Sequence, residues 1–353
     1  MFNFFLRKIK YSLLVFLGII SIVFFLFNII PSDPAKMMLG DRDDAVQLEN
    51  IRKKYNLDKP PIERYFLYLN DLSPISFHFS KNKKLDKYQS ITLLETKKKL
   101  ILLKKPYLGE SFVYKEKEVL SIILTVFPNT IVLAFVSIML AVFISIPIGV
   151  FCAIKKDSFF DKFFIFFSSL GMSLPSFFSA ILIMWIFAYK LSWLTGFNVV
   201  GSLYEVDDLG RGEYLNIKNL VLPAITLGIR PIAIIMSLTR NSLLETLSSN
   251  FVRTARSKGL SEFKVVIVHA LRNSLSSVLT ATSGWFASML SGAVFVEYIF
   301  GWNGVGKLLV ESINNVDFPL VMGLILFIGT CFVFINILVD VIYSWLDPRI
   351  KIN

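Results

Sequence analysis

Residues 120–154 read LSIILTVFPNTIVLAFVSIMLAVFISIPIGVFCAI, thirty-five positions without one charged side chain. A helix rises about 1.5 Å per residue, so about 20 apolar residues cross the hydrocarbon core of a bilayer. Inside lipid every backbone N–H and C=O must find a partner within the chain, which makes this run a membrane helix. Working outward, four further apolar runs are long enough: Tyr11–Ile30, Phe163–Tyr189, Ser274–Val296 and Pro319–Val339. A sixth, Leu220–Thr239, qualifies by length but carries Arg230 at its centre. The first run is too long for a removable signal peptide, and IIPSDPA follows it where a small-residue cleavage site would stand. Composition agrees: 54% of the 353 residues are hydrophobic and 34 are Phe.

The net charge of +11 would suggest nucleic acid on a soluble protein, but here topology explains it. With both ends in the cytoplasm, the cytoplasmic segments 1–10, 155–162, 240–273 and 347–353 hold 14 Lys and Arg. The short outer loops 190–219 and 298–318 hold 4, which is the positive-inside bias. Residues 31–119 resist, with 18 basic against 13 acidic residues, although long translocated segments largely escape the rule. Within that segment, apolar spacing predicts short helices at 43–57 and from Ile62. A Lys-rich tract over about 73–106 reads as a surface insertion, with an acidic partner or anionic lipid as its functional alternative. Pro128, Pro147 and Pro175 are expected to kink their helices.

Few residues suit chemistry. Cys152 and Cys331 lie in separate apolar runs, and His78 and His269 fall on opposite sides of the membrane, so no metal or His/Cys site is expected. Gly301–Trp302–Asn303–Gly304–Val305–Gly306–Lys307 imitates the start of a phosphate loop. Leu308 then stands where the Mg²⁺-binding hydroxyl belongs, so these glycines read as a tight turn. Arg230 is the natural pathway residue, because a cation in mid-helix should face a cavity or a partner; the alternative is that it snorkels to the interface. Glu297 and Asp340 read as structural pairs.

The decisive polar segment is 250–275, NFVRTARSKGLSEFKVVIVHALRNSL. Asn250 is placed to cap a short helix ending at Gly259. Ser261 then caps a second helix, on which Phe263, Ile267, Ala270 and Leu271 share a face. The expected product is a stiff knob of two short helices hinged at Gly259. A DNA-reading helix-turn-helix would be held at the lipid surface between two spans, so nucleic acid is not an expected partner.

This segment resembles the cytoplasmic coupling loop of bacterial ABC-transporter permeases of the binding-protein-dependent type, patterned EAA, three residues, G, nine residues, I-x-L-P. It is most similar to the dipeptide/oligopeptide/nickel branch, whose loop typically reads YVRTARAKGLSE…HALRNAL. Arg253 and Thr254 replace the general Glu-Ala, and Ser276–Ser277 stand where a proline commonly follows. IIPSDPA, KYNLDKPPIERYFLYL, Tyr107–Leu108–Gly109–Glu110–Ser111, SLPSFF, LVLPAITLG, VEYIFGWNGVGKLLVESI, DFPLVMG and LDPRI fit in order along the chain.

The resemblance implies an all-α integral membrane protein with six transmembrane helices, the type-1 ABC permease fold. Its parts would be a first span within 1–30, an extracytoplasmic segment 31–119, a permease core 120–346 with the coupling loop at about 250–273, and a tail 347–353. The implied role is the permease subunit of an ATP-driven importer in the bacterial inner membrane, working by alternating access on di- or oligopeptides, and not an enzyme. Nickel or another small solute is the alternative substrate, and an ion-gradient-driven transporter the alternative class. Expected partners are a second similar permease, two cytoplasmic ATP-binding subunits, an extracytoplasmic binding protein and membrane lipid. The chain would bind no cofactor, with ATP and Mg on the partners. The loop residues implied are Phe251, Arg253, Thr254, Ala255, Arg256, Lys258, Gly259 and Leu260. Phe251, Ala255 and Leu260 would bury in a cleft of the ATPase, while the cations meet acids at its rim.

Overall fold

The computed structural model describes residues 2–29, 35, 45–54, 56–79, 90–96, 99–114, 117–207 and 212–346. Among the described residues, four helices are long and apolar enough to cross a membrane: α1 (Phe2–Ile29), α4 (Val119–Ile154), α8 (Lys218–Leu247) and α14 (Phe318–Leu346). Two further candidates are bent pairs. The run expected as one span at 163–189 breaks by 109° between α5 (Phe159–Ser173) and α6 (Ser176–Ile183), which continues as a π-helical stretch to Lys190. The cause is local. Leu174 precedes Pro175 and is forced to an extended ψ of 130°, and Pro175 then opens α6. The second break, of 56°, falls at Ala293 between α11 (Arg272–Gly292) and α12 (Val294–Phe300). By contrast, α4 runs through Pro128 and Pro147, and α8 through Pro223 and Pro231.

The chain is not purely helical. The Lys-rich tract holds an antiparallel sheet of β1 (Ile75–Phe79), β2 (Ser90–Glu95) and β3 (Lys99–Lys104), in the order β1-β3-β2. A hairpin of β4 (Tyr204–Val206) and β5 (Glu213–Leu215) precedes α8. The short helices expected in the first outer segment are present as α2 (Ala45–Lys54) and α3 (Pro61–Leu72).

Two compact units divide these elements. One takes in Phe2–Thr125 with Leu309–Thr330. Here Leu72 of α3 packs with Ile20 of α1 and Leu326 of α14, and the Tyr65 and Ser21 hydroxyls meet at 2.6 Å. Asp317 caps α14: its buried carboxylate accepts from the Leu320 amide at 3.3 Å, the Phe112 amide at 3.1 Å and the Ser111 hydroxyl. The other unit takes in Val126–Leu308 and the chain from Cys331. Its α4 and α8 approach closely because Gly149 has no side chain; a Cβ there would lie 2.7 Å from that of Thr239. Arg240 of α8 grips Asp161 of α5 with two hydrogen bonds, Nε to Oδ1 at 2.7 Å and Nη2 to Oδ2 at 2.6 Å.

Candidate functional site

The polar segment after α8 forms the expected knob, with changes of detail. Ser249, not Asn250, occupies the capping position of α9 (Asn250–Ser257), with extended dihedrals and no side-chain cap bond. The helix stops at Lys258, and Gly259 turns the chain with φ of +74°. That value is in the left-handed region, where a Cβ meets the following carbonyl. Ser261 then leads into α10 (Glu262–Lys264) without a side-chain cap bond. The second helix is not a separate short piece. It passes through a π-helical stretch, Val265–Leu271, straight into α11.

That π stretch changes which residues face inward. Val265 and Ala270, five apart, are both fully buried, as a π turn requires, and Val266 joins them. Phe263, expected on the inner face, is instead 76% exposed. The inward residues join one core cluster: Val252 and Ala255 of α9, Val265, Val266 and Ala270, Leu243 of α8, and Val150 and Ala153 of α4. Leu260 packs against it. Ala255 and Leu260 therefore fasten the knob to its own helices rather than project from it, which corrects the expectation that they bury elsewhere. Helical spacing explains this, since Val252 and Ala255 are three apart and share a side that α4 and α8 already cover.

What the knob presents outward is Phe251, Arg253, Thr254, Arg256, Lys258, Gly259, Phe263 and Lys264. Arg256 is held across the Gly259 turn by Glu262, Nε to Oε1 at 2.8 Å and Nη2 to Oε2 at 3.2 Å. That hydrogen-bonded carboxylate pushes the Arg256 pKa up from its already high value. Among the described residues, Arg253 and Lys258 make no ion pair. Thr254 donates its hydroxyl to the Asn250 carbonyl at 3.0 Å, so it stiffens α9. The result is a rigid protrusion with two aromatic rings and several cations outside, and a dry apolar base.

Arg230 lies elsewhere, exposed on α8, and no hydrogen bond or ion pair of its side chain occurs among the described residues. The glycine turn that imitates a phosphate loop has its own anion. Glu297 is fully buried, and its Oε2 accepts from the Gly306 amide at 2.6 Å and the Lys307 amide at 3.3 Å, at the start of α13 (Val305–Asn314). A carboxylate thus fills the helix N-terminus where a phosphate would have to sit. The Val305 amide donates to the Thr130 hydroxyl at 2.9 Å, and Trp302 Nε1 to the Asn129 carbonyl at 3.0 Å, which tie the turn to α4. Among the described residues Glu297 makes no ion pair, and its partners are the Gly306 and Lys307 amides and the Thr130 hydroxyl. The side chain of Asp340 lies outside the described residues.

The chain matches the family described as "Binding-protein-dependent transport system inner membrane component" over residues 145–352, and the N-terminal family of the same system over residues 1–82. It is similar to the dipeptide transport system permease protein of Alkalihalophilus pseudofirmus, 32% identical with 98% of each chain covered. The di/tripeptide transport system permease protein of Pseudomonas aeruginosa is 32% identical, with 99% of each covered. A putative peptide transport system permease protein of Brucella abortus is 33% identical, with 98% of each covered. Among solved structures, the inward-facing MetNI methionine ABC transporter matches with a TM-score of 0.50 and 14% identity, over 65% of this chain and 97% of that one. That match shows a shared fold.

Proposed function

We propose that this chain, which belongs to the family of binding-protein-dependent transport system inner membrane components, moves di- or oligopeptides through the bacterial cytoplasmic membrane as the permease subunit of an ABC importer. It is a transport subunit and not an enzyme. The peptide substrate rests on relatives that align over nearly their whole length and are named for peptide transport. In this reading each bent pair counts as one span, which gives six, and both termini lie in the cytoplasm, as the distribution of Lys and Arg favours.

The observation that carries the mechanism is the two-sided construction of the knob. Its inner side is packed against α4 and α8, and its outer side presents Phe251 and Phe263 among Arg253, Arg256, Lys258 and Lys264. A cytoplasmic ATP-binding subunit would receive that outer side, with the rings in an apolar cleft and the cations against acids at its rim. ATP and Mg belong to two such subunits, so this chain needs no cofactor. Closure of the ATPase pair would then move the helix ends, and alternating access follows without covalent chemistry. A second permease of the same kind completes the pathway, and an extracytoplasmic binding protein delivers substrate. Arg230 is assigned to that pathway, facing a peptide carboxylate or the partner permease.

The test is Gly259→Val, measured for co-purification of the ATPase and for uptake. A β-branched residue at φ +74° is strained, although a Cβ there meets nothing within 4 Å, so the damage is confined to the turn. Loss of both with normal membrane insertion is expected. Normal assembly and normal transport would refute the docking model.

A further inference from the structure

Among the described residues, one side of the insertion sheet is uncovered. Ser76, Leu100, Leu102 and Lys104 are buried on one face. The register places Ile75 and Ile91 beside Leu103, and Phe77 and Leu94 beside Ile101, on the other face. The slip between Thr92 and Leu94 brings Leu94 onto this side. Five of these six side chains are exposed, Phe77 by 66% and Ile91 by 69%, and none of the six is polar. An apolar face of this kind on a sheet marks an interaction surface.

Two further observations identify what covers it. The first is depth. Leu72, three residues before β1, is buried against Ile20, which lies seven residues inside the outer end of the apolar stretch Lys10–Phe27. Seven helical residues are about 10 Å. Leu326 in the same cluster lies eight residues inside α14, a similar depth. Three residues of extended chain reach at most about 10 Å, so β1 starts no farther out than the membrane boundary. Tyr65 and Tyr68 of α3, packed at a tilt against Phe24, are the amphipathic rings expected at that level. The second is charge. Residues 73–106 carry nine Lys against Asp86 and Glu95, and of these Lys104 is buried beside Asp71 at 3.7 Å, so eight remain for the surface charge of the sequence. A soluble partner would meet this surface far from lipid; an anionic membrane meets it where it stands.

We infer that the sheet lies flat on the membrane, with Ile75, Phe77, Ile91, Leu94, Ile101 and Leu103 at the headgroup–acyl boundary, and that the net positive charge of the tract favours an anionic surface. This is the geometry of interfacial amphipathic elements, built here from strands instead of a helix.

The experiment uses the full chain in phosphatidylglycerol nanodiscs, with Cys152→Ala and Cys331→Ala and a bimane label at Phe77→Cys. Ile91→Cys on the edge strand serves as a second site should the first impair folding, and Thr92→Cys reports the opposite face. Lipid brominated in its acyl chains should quench the labels at 77 and 91 at least about twofold more than the label at 92. Quenching should weaken in phosphatidylcholine discs, where the headgroups carry no net charge. Equal quenching at 77, 91 and 92, with all three open to aqueous iodide, would overturn the proposal. So would labels at 77 and 91 that are shielded only after a binding protein or second permease is added. Equal quenching in the two lipids would overturn the role given to the tract's net charge.

Discussion

Arg240 and Asp161 offer a decisive test of how the helix ends above the knob are held. Asp161 is 1% exposed and Arg240 13%, so both charges are withdrawn from water and their bidentate geometry is fixed. Asp161 also accepts from the Asp157 amide at 2.9 Å, which holds the left-handed turn at Asp157, φ +63°, between α4 and α5. Removing one partner strands a buried charge, and such losses run to about 3–5 kcal/mol. Replacing both with apolar residues of similar volume removes the attraction and the desolvation cost together, so it should be nearly neutral. Arg240→Met and Asp161→Leu are therefore expected each to destabilise by about 3 kcal/mol or more, and the double variant by about 1 kcal/mol or less. Thermal unfolding of the four proteins in one detergent would show the singles melting on the order of 5–10 °C lower, with the double recovering most of the loss. Additive losses would refute the reasoning, since they would mean that neither charge depends on the other.

Two more outcomes follow from single sites. At Gly304→Ala the new Cβ would fall 2.4–2.6 Å from all three carboxyl atoms of the buried Glu297, whose Oε2 is held by the Gly306 amide; a loss of roughly 3 kcal/mol is expected. Gly284→Ala is its control, a helical site with nothing within 4 Å, and should leave the melting point unchanged or slightly raised. Glu205 is held below the usual carboxylate value of 4.5 by the Asn216 amide first, then Asn219 and Tyr214. A lowered folded pKa contributes stability that is present above 4.5 and lost as pH falls through the folded value. Amide protection factors in β4 and β5, corrected for the intrinsic pH dependence of exchange, should therefore fall below pH 4.5 in the native chain and change much less in Glu205→Gln.

The membrane helices were legible because apolar length alone decides them: a run such as 120–154 has no other stable state. The knob was legible because Gly259 punctuates a basic stretch between two such runs. What the sequence concealed was direction. A helix of ordinary period would turn Phe263 inward with Ile267 and Ala270, and only the π stretch from Val265 reverses this. The break at Pro175 had a signal in Leu174–Pro175, since the residue before proline avoids the helical region. The sheet had one too, in the β-branched and aromatic runs ISFHF, SITLLE and KLILLK, but the lysines between them read as a solvated loop. The Glu297 cage had none, because it joins residues from α4, α12 and α13 that no spacing relates.

The direction in which the knob can transmit a push follows from its attachments. Toward α8 the connection is short: Ser248 and Ser249 separate the two helices, Val252 packs with Leu243, and Arg240 is clamped to Asp161 two turns above. Toward α11 it runs through seven π-helical residues, whose hydrogen bonds are weaker and whose register can revert to α by shifting one residue. In the proposed docking, a load on Phe251 would be carried rigidly into α8 and α4, while α11 could lag by a partial turn. On that proposal, unequal stiffness on the two sides of Gly259 would convert one displacement into relative movement of helices, which is what alternating access needs. Deleting one residue within 265–271 should make that stretch ordinary α-helix and remove the difference. Insertion should survive and ATPase binding persist, because Phe251 and α9 are untouched, while uptake falls; unchanged uptake would show that the π stretch is packing alone.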